Sequence, residues 1–149
     1  MNFETLLIDQ DKRGVVTLTL NRPEKRNALS AKMIDELTNF AVSLTSDIRI
    51  VIIQGAGSLF CAGGDLEWMN AQIKADRTTR ITAAKKLASM LKALNELPVP
   101  LIAKVHGAAY GGGVGLACVC DFVISCSNVK FGFTETRLGL IPSTIGPYV

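Results

Sequence analysis

The sequence is poor in the groups that metal, redox and nucleic-acid chemistry require. His106 is its one histidine, and none of the four cysteines, Cys61, Cys118, Cys120 and Cys126, forms a CxxC pair. A zinc site at any recognisable spacing is therefore short of ligands. Buried, reduced thiols in a cytoplasmic protein are the expectation. Charge is sparse too: 19% of residues are charged, the formal net charge is +3, and Lys and Arg are scattered without a basic run interleaved by aromatics. That argues against a nucleic-acid partner. The longest stretch without a charge, Val105–Cys120, is short for a membrane span and rich in glycine. The opening residues, MNFETLLIDQ, lack the basic, apolar, small-residue order of a secretory signal.

What is present is apolar substance and glycine. Hydrophobic residues make up 48% of 149 residues, enough for one domain over residues 1–149 with a real core. Thr5–Asp9 and Gly14–Asn21 read as two strands joined by DKRG; Pro23 stops the second in the polar loop NRPEKRNA. Ser30 is placed to cap a helix reaching about Leu44, with Met33, Ile34, Leu37, Phe40, Ala41 and Leu44 on one face. Arg49–Gln54 reads as a strand buried on both faces. A short helix is expected at Leu66, and a longer one over Asp76–Leu97 with Ile81, Leu87, Leu91 and Leu94 inward, ended by Pro98 and Pro100. Leu101–Val105, a helix over Val114–Cys120 and a strand at Asp121–Cys126 follow. The alternation predicts an α/β fold with a mainly parallel sheet and right-handed helical crossovers.

Two glycine turns lie at the carboxyl ends of those strands, where such sheets bind ligands: Gly63–Gly64 and Gly111–Gly113. Glycine lets backbone N–H groups approach a ligand atom closely, and at a helix start they are unpaired and favour negative charge. Several uses are excluded. No glycine precedes a Lys-Ser or Lys-Thr pair, so there is no P-loop. The dinucleotide fingerprint fails at Phe60 in GAGSLF and at Leu116 in GGGVGL. No GxSxG elbow exists. A tight strand-to-helix turn with close packing remains one reading. The other is a pair of backbone donors around a single oxygen, an oxyanion hole.

Four segments, NRPEKRNAL (Asn21–Leu29), FCAGGDL (Phe60–Leu66), HGAAYGGGVGLACVCD (His106–Asp121) and KFGFTETRLGLIP (Lys130–Pro142), resemble in order the motifs of the crotonase, or enoyl-CoA hydratase/isomerase, superfamily. The resemblance spans essentially the whole chain. It implies a crotonase-like ββα spiral core. It also implies that Gly64 and Gly112 supply the N–H donors that hold an acyl-CoA thioester oxygen as it gains enolate character. Glu135 stands where the family often places an acid/base glutamate. Arg26, Ala28, Ala62, Asp65 and Leu66 match the region that holds the nucleotide end of CoA. CoA is then part of the substrate, and no separate cofactor or metal is implied.

Plainer roles stand beside these. Asp65 also suits the cap of the helix at Leu66, Arg26 a solvated loop, and His106 a strand-end packing position. From spacing alone Glu135 is an ordinary surface glutamate. Trp68 and Met69 fit core packing as well as an acyl pocket.

The sequence departs from the family pattern twice. The familiar hydratases carry a second glutamate three residues beyond the second oxyanion glycine; here that position is Gly115. Either Glu135 acts alone, as in single-glutamate isomerases, or another group positions water. In character the motifs are similar to bacterial methylglutaconyl-CoA-type hydratases, so hydration of a branched glutaconyl-CoA is the leading expectation and double-bond isomerisation the second. A substrate carboxylate would want a cation, from Arg77, Arg80 or Arg137. A non-catalytic CoA-binding crotonase-fold protein is the main rival, and a plain nucleotide-binding domain a weaker one. Family members also continue past GPYV into helices that cover the acyl pocket and build a homotrimer or dimer of trimers. The sequence is accordingly read as a fragment with exposed apolar surface.

Overall fold

A computed structural model describes residues 3–149. β1 (Leu6–Gln10) and β2 (Val15–Leu20) form the expected hairpin, which lays β2 beside β3 (Ile50–Gly55). β4 (Leu101–Val105) and β6 (Phe122–Ser125) complete a five-stranded sheet of order β1-β2-β3-β4-β6, antiparallel only at the β1–β2 pair. The expected mainly parallel α/β fold is observed.

α1 (Ala31–Val42) and α3 (Arg77–Asn95) cross over between parallel strands and pack against each other. Ser30 Oγ accepts the Met33 N–H at 3.2 Å, and Asp76 Oδ1 accepts the Thr79 N–H at 2.7 Å, so each helix begins where a side chain takes up an orphan donor. Met33, Ile34, Leu37, Phe40, Met90, Leu91 and Leu94 join Val16, Leu18, Leu20, Val51, Ile53, Leu101 and Ala103 in one core.

Two packing expectations need correction. β3 is not buried on both faces: Val51 and Ile53 are buried, whereas Ile50 and Ile52 are half-buried. α1 and α3 contribute to the core that takes in Val51 and Ile53, which leaves the opposite side of the strand less covered. On α3, Leu91 and Leu94 point inward as expected, but Ile81 is exposed, because the first turns of the helix overhang the core.

β5 (Ala108–Tyr110) and β7 (Lys130–Gly132), both too short to show periodicity, form a separate parallel pair. α2 (Leu66–Lys74) and α4 (Gly112–Cys118) each start at one of the glycine turns. β6, at the sheet edge, leaves Phe122, Val123 and Ile124 exposed. The thiols also divide: Cys61 is buried and Cys120 half-buried, but Cys118 and Cys126 are exposed, so burial holds for only part of the set. Among the described residues no helix is long and apolar enough to cross a membrane, and no cluster of His, Cys, Asp or Glu is arranged to hold a metal.

Candidate active site

Four segments far apart in sequence are stitched side by side through backbone hydrogen bonds. Leu29 donates to Gly63 O at 2.8 Å and accepts from the Asp65 N–H at 3.1 Å. One step further, Tyr110 N–H donates to Cys61 O at 3.0 Å, and an isolated parallel bridge joins Cys61 to Ala109. Ala109 in turn pairs with Phe131 across β5 and β7, and Gly111 N–H donates to Gly132 O at 2.9 Å. This staircase carries Asn21–Leu29, Phe60–Leu66, His106–Gly113 and Lys130–Glu135 to one place. No sequence periodicity announces it, because each step is a bridge of one to three residues.

The loop before Leu29 is held by residues that the sequence analysis passed over. Asn27 is fully buried; its Oδ1 accepts the Arg22 N–H at 3.0 Å, and its Nδ2 donates to Ala56 O and Leu59 O at 2.7 and 2.9 Å. Arg26 and Asn27 both adopt positive φ (53° and 54°), a left-handed geometry that costs energy outside glycine. In return, Arg26 O is free to accept the Ala62 N–H at 3.0 Å.

Asp65 performs the capping role. Its Oδ1 accepts the Glu67 and Trp68 N–H groups at 2.9 and 3.2 Å, and Oδ2 takes Arg22 Nη1 at 2.8 Å. The same guanidinium nitrogen donates to Ala28 O at 2.7 Å. Burial raises the Asp65 carboxyl, but the Arg22 hydrogen bond and the two helix N–H donors outweigh it and hold the group below the usual carboxylate range. The Asp65 carboxylate is thus committed to the fold. Arg22, in NRPEKR, is missed by motif reasoning because its partner lies 43 residues away.

A cavity of about 690 Å³ opens beside this staircase. The residues that the family resemblance assigns to the oxyanion, acid/base and CoA roles line it: Gly64, Gly112 and Glu135, together with Arg26, Ala28, Ala62, Asp65 and Leu66. A smaller chamber of about 130 Å³ shares Gly64, Met69, Gly112 and Glu135 with it and adds Leu29, Trp68, Leu87 and Ile145. The larger space has the cations Lys25, Arg26 and Arg137 in its lining; the smaller is mostly apolar with two hydroxyls, Ser143 and Thr144. Arg77 and Arg80 line neither, which leaves Arg137 as the one of the three expected cations at the site. His106 holds a structural position, its Nε2 3.0 Å from Gly57 O.

Neither the Gly64 nor the Gly112 N–H has a hydrogen-bond partner among the described residues, and both border the boundary between the two spaces. The glycines are spatially required to different degrees. A Cβ at Gly64 would meet the flexible end of Met69 at 2.9 Å, whereas one at Gly63, where φ is +94°, would meet Tyr110 O at 2.8 Å. Glu135 rests over Gly111: a Cβ there would lie 3.0 Å from Glu135 Oε1. Glu135 begins a 3-10 turn (Glu135–Leu138), and its Oε2 is buried without a hydrogen-bond partner. A buried carboxylate oxygen left unpaired is costly unless a ligand or water supplies the donor.

At Gly115 the structure gives a steric reason for the missing second carboxylate. A Cβ would fall 2.5 Å from Ile145 Cγ2, and Ile145 is itself buried. The place a second glutamate would enter is filled with hydrocarbon.

A mixed α/β fold with two unpaired glycine N–H groups and the Glu135 carboxylate around a shared cavity defines a class, and comparison with known proteins agrees with it. The enoyl-CoA hydratase/isomerase family model matches residues 10–148, and the chain belongs to that family. It is 39% identical over 148 residues to "Probable enoyl-CoA hydratase echA8" of Mycobacterium tuberculosis, covering 98% of this chain and 55% of that protein. It is 36% identical over 138 residues to the mitochondrial methylglutaconyl-CoA hydratase of Mus musculus, covering 91% of this chain and 43% of that one. The crystal structure of an enoyl-CoA hydratase from Shewanella pealeana superimposes with a TM-score of 0.94 at 35% identity, over 99% of this chain and 56% of the other. The chain spans about half the length of the relatives it matches.

Proposed function

We propose that the site binds an acyl-CoA thioester and adds water across an enoyl-CoA double bond. The observation that carries this reading is the meeting of two unpaired backbone donors, at Gly64 and Gly112, with the orphaned Glu135 Oε2 around one cavity. The thioester oxygen sits between the two N–H groups. Glu135 accepts a proton from water as the water oxygen bonds to Cβ of the substrate. The π electrons move through Cα to the thioester oxygen, where the two donors stabilise the enolate, typically by a few kcal/mol each. Protonated Glu135 then returns its proton to Cα, and the carboxylate is restored. The acyl end occupies the apolar chamber, and the nucleotide end lies toward Arg26, Ala28, Ala62 and Leu66. CoA arrives as part of the substrate, and the chemistry calls for no separate cofactor.

The finer reading is a branched glutaconyl-CoA; of the three expected cations only Arg137 lines a cavity here, on the wall of the larger space. A cytoplasmic homotrimer goes with it, in which exposed apolar side chains such as Phe122 and Ile124 are covered. Isomerisation is the second reading, favoured by the hydrocarbon beside Gly115, since moving a double bond needs only the one carboxylate.

The test follows the enoyl-thioester absorbance with 3-methylglutaconyl-CoA, alongside product analysis with a 3-enoyl-CoA. Hydration product supports the proposal. Double-bond migration without hydration overturns it in favour of isomerisation. Acyl-CoA binding that survives Glu135→Gln with no turnover in either form points to a binding protein.

A further inference from the structure

Leu29 closes the NRPEKRNAL segment, carries no charge and is 1% exposed, so it would ordinarily be counted as core. Yet it touches both proposed donors. Its backbone brackets the Gly64 peptide: the N–H donates to Gly63 O at 2.8 Å, and the carbonyl accepts from Asp65 N–H at 3.1 Å. Its side chain reaches the other glycine, since a Cβ built on Gly112 would come within 2.9 Å of Leu29 Cδ1. The Gly63–Gly64 turn is further held through Asp65, whose partner Arg22 also ties down Ala28 O, the neighbour of Leu29.

We infer that Leu29 is a positioning residue that sets the separation of the Gly64 and Gly112 N–H groups. Gly64 is strapped to its backbone and Gly112 rests against its side chain, so the length and branching of that side chain act as a spacer. Oxyanion stabilisation depends steeply on donor placement, and a displacement of about 1 Å can cost on the order of 100-fold in rate. The same side chain forms part of the wall of the apolar chamber, so its truncation also lets Gly112 settle inward. This inference rests on the enolate-stabilising reading of the two glycines.

The experiment compares Leu29→Ala, Leu29→Ile and Leu29→Met with Leu37→Ala, a substitution at an equally buried leucine that lines neither cavity. Two readouts are used on each: the amide resonances of Gly64 and Gly112 in ¹⁵N-labelled protein, and the carbonyl stretch of a bound acyl-CoA thioester. Leu29→Ala should shift both glycine resonances, reduce the downward shift of the bound carbonyl stretch, and lower kcat on the order of 10- to 100-fold with KM little changed. Leu29→Met should rescue all of these. If Leu29→Ala fails to fold, Leu29→Ile keeps the volume but moves the δ carbon, and should displace the Gly112 resonance.

Glycine resonances unmoved in Leu29→Ile, or moved no more in Leu29→Ala than in Leu37→Ala, would overturn the inference. Failure of acyl-CoA to bind at all would instead remove the proposed function, while the amide resonances would still decide the role of Leu29.

Discussion

The carboxylate of Glu135 lies against the backbone of Gly111, so near that a Cβ on Gly111 would stand 3.0 Å from Oε1. That contact ties the proposed acid/base group to the turn that carries one proposed donor. It is made possible by the Gly111 N–H to Gly132 O hydrogen bond, which aligns the two segments three residues before Glu135. Removing the proton-accepting oxygen without changing shape should therefore isolate the chemistry. Glu135→Gln is expected to fold as the parent does, by circular dichroism, and to bind acyl-CoA. Its hydration rate should fall by about 10²- to 10⁴-fold. A rate near the parent's would take Glu135 out of the mechanism.

Gly111 and Gly64 should respond differently to alanine. Gly111 has φ +46° and ψ −116°, a conformation open to glycine and strained for other residues, and its new methyl would press on Glu135. Gly111→Ala should lose about 1–3 kcal/mol of stability as well as activity. At Gly64 the methyl meets only the movable Met69 thioether, so Gly64→Ala should keep both within a few-fold. Urea melts and hydration rates on the two variants test the contrast.

The Arg22–Asp65 pair is almost dry, and its loss should be felt through the helix cap as well as the loop. Removing the guanidinium in Arg22→Met strands a buried carboxylate, at a cost of about 3–5 kcal/mol at neutral pH. The sign of the pH dependence follows from the lowered Asp65 carboxyl. The stabilisation is present above the unfolded value of about 3.9 and is lost as pH falls through the lower folded value. The gap between parent and Arg22→Met should accordingly be widest near neutrality and shrink below about pH 4. A gap that stays constant with pH in denaturant titrations would show that the pair contributes packing alone.

Thiol reactivity should follow burial. Burial pushes the Cys61 thiol up to about 12, and burial, then the charge of Asp121, does the same to Cys120. Cys118 and Cys126 are exposed. Brief iodoacetamide treatment of the native protein near neutral pH should label Cys118 and Cys126 and spare Cys61, as read by peptide mass spectrometry. Rapid labelling of Cys61 would mean that the strand–turn stitching around Ala109 opens readily.

Adding a side chain at Gly115 should be unfavourable. Gly115→Ala drives a methyl into Ile145 and should cost about 1–3 kcal/mol by overpacking. Pairing it with Ile145→Ala should recover much of that loss, measured as a shift in the urea midpoint. Absence of recovery would place the strain in α4 itself.

Local pattern was enough for much of the fold. The cap at Ser30, the apolar face from Met33 to Ala41 and the strand at Leu101–Val105 are set by neighbours within a turn or a strand length, which is why they are readable in order. The four motifs likewise single out Gly64, Gly112 and Glu135, through their resemblance to the family whose model matches residues 10–148. Periodicity alone misjudged Ile81 and the two faces of β3, since which side of an element is covered depends on what packs there.

The sequence by itself determined the order of the main sheet's five strands and of the helices among them, the two glycine turns and the lack of a carboxylate at Gly115. Only the tertiary structure decided that Leu29, Gly64, Ala109 and Phe131 stand on adjoining steps, because bridges of one to three residues between distant segments leave no periodic trace. It alone bound Arg22 to Asp65, left Glu135 Oε2 without a partner, and filled the corner beside Gly115 with Ile145. Those outcomes depend on distances between residues far apart in the chain, which are set by the packing of the whole core.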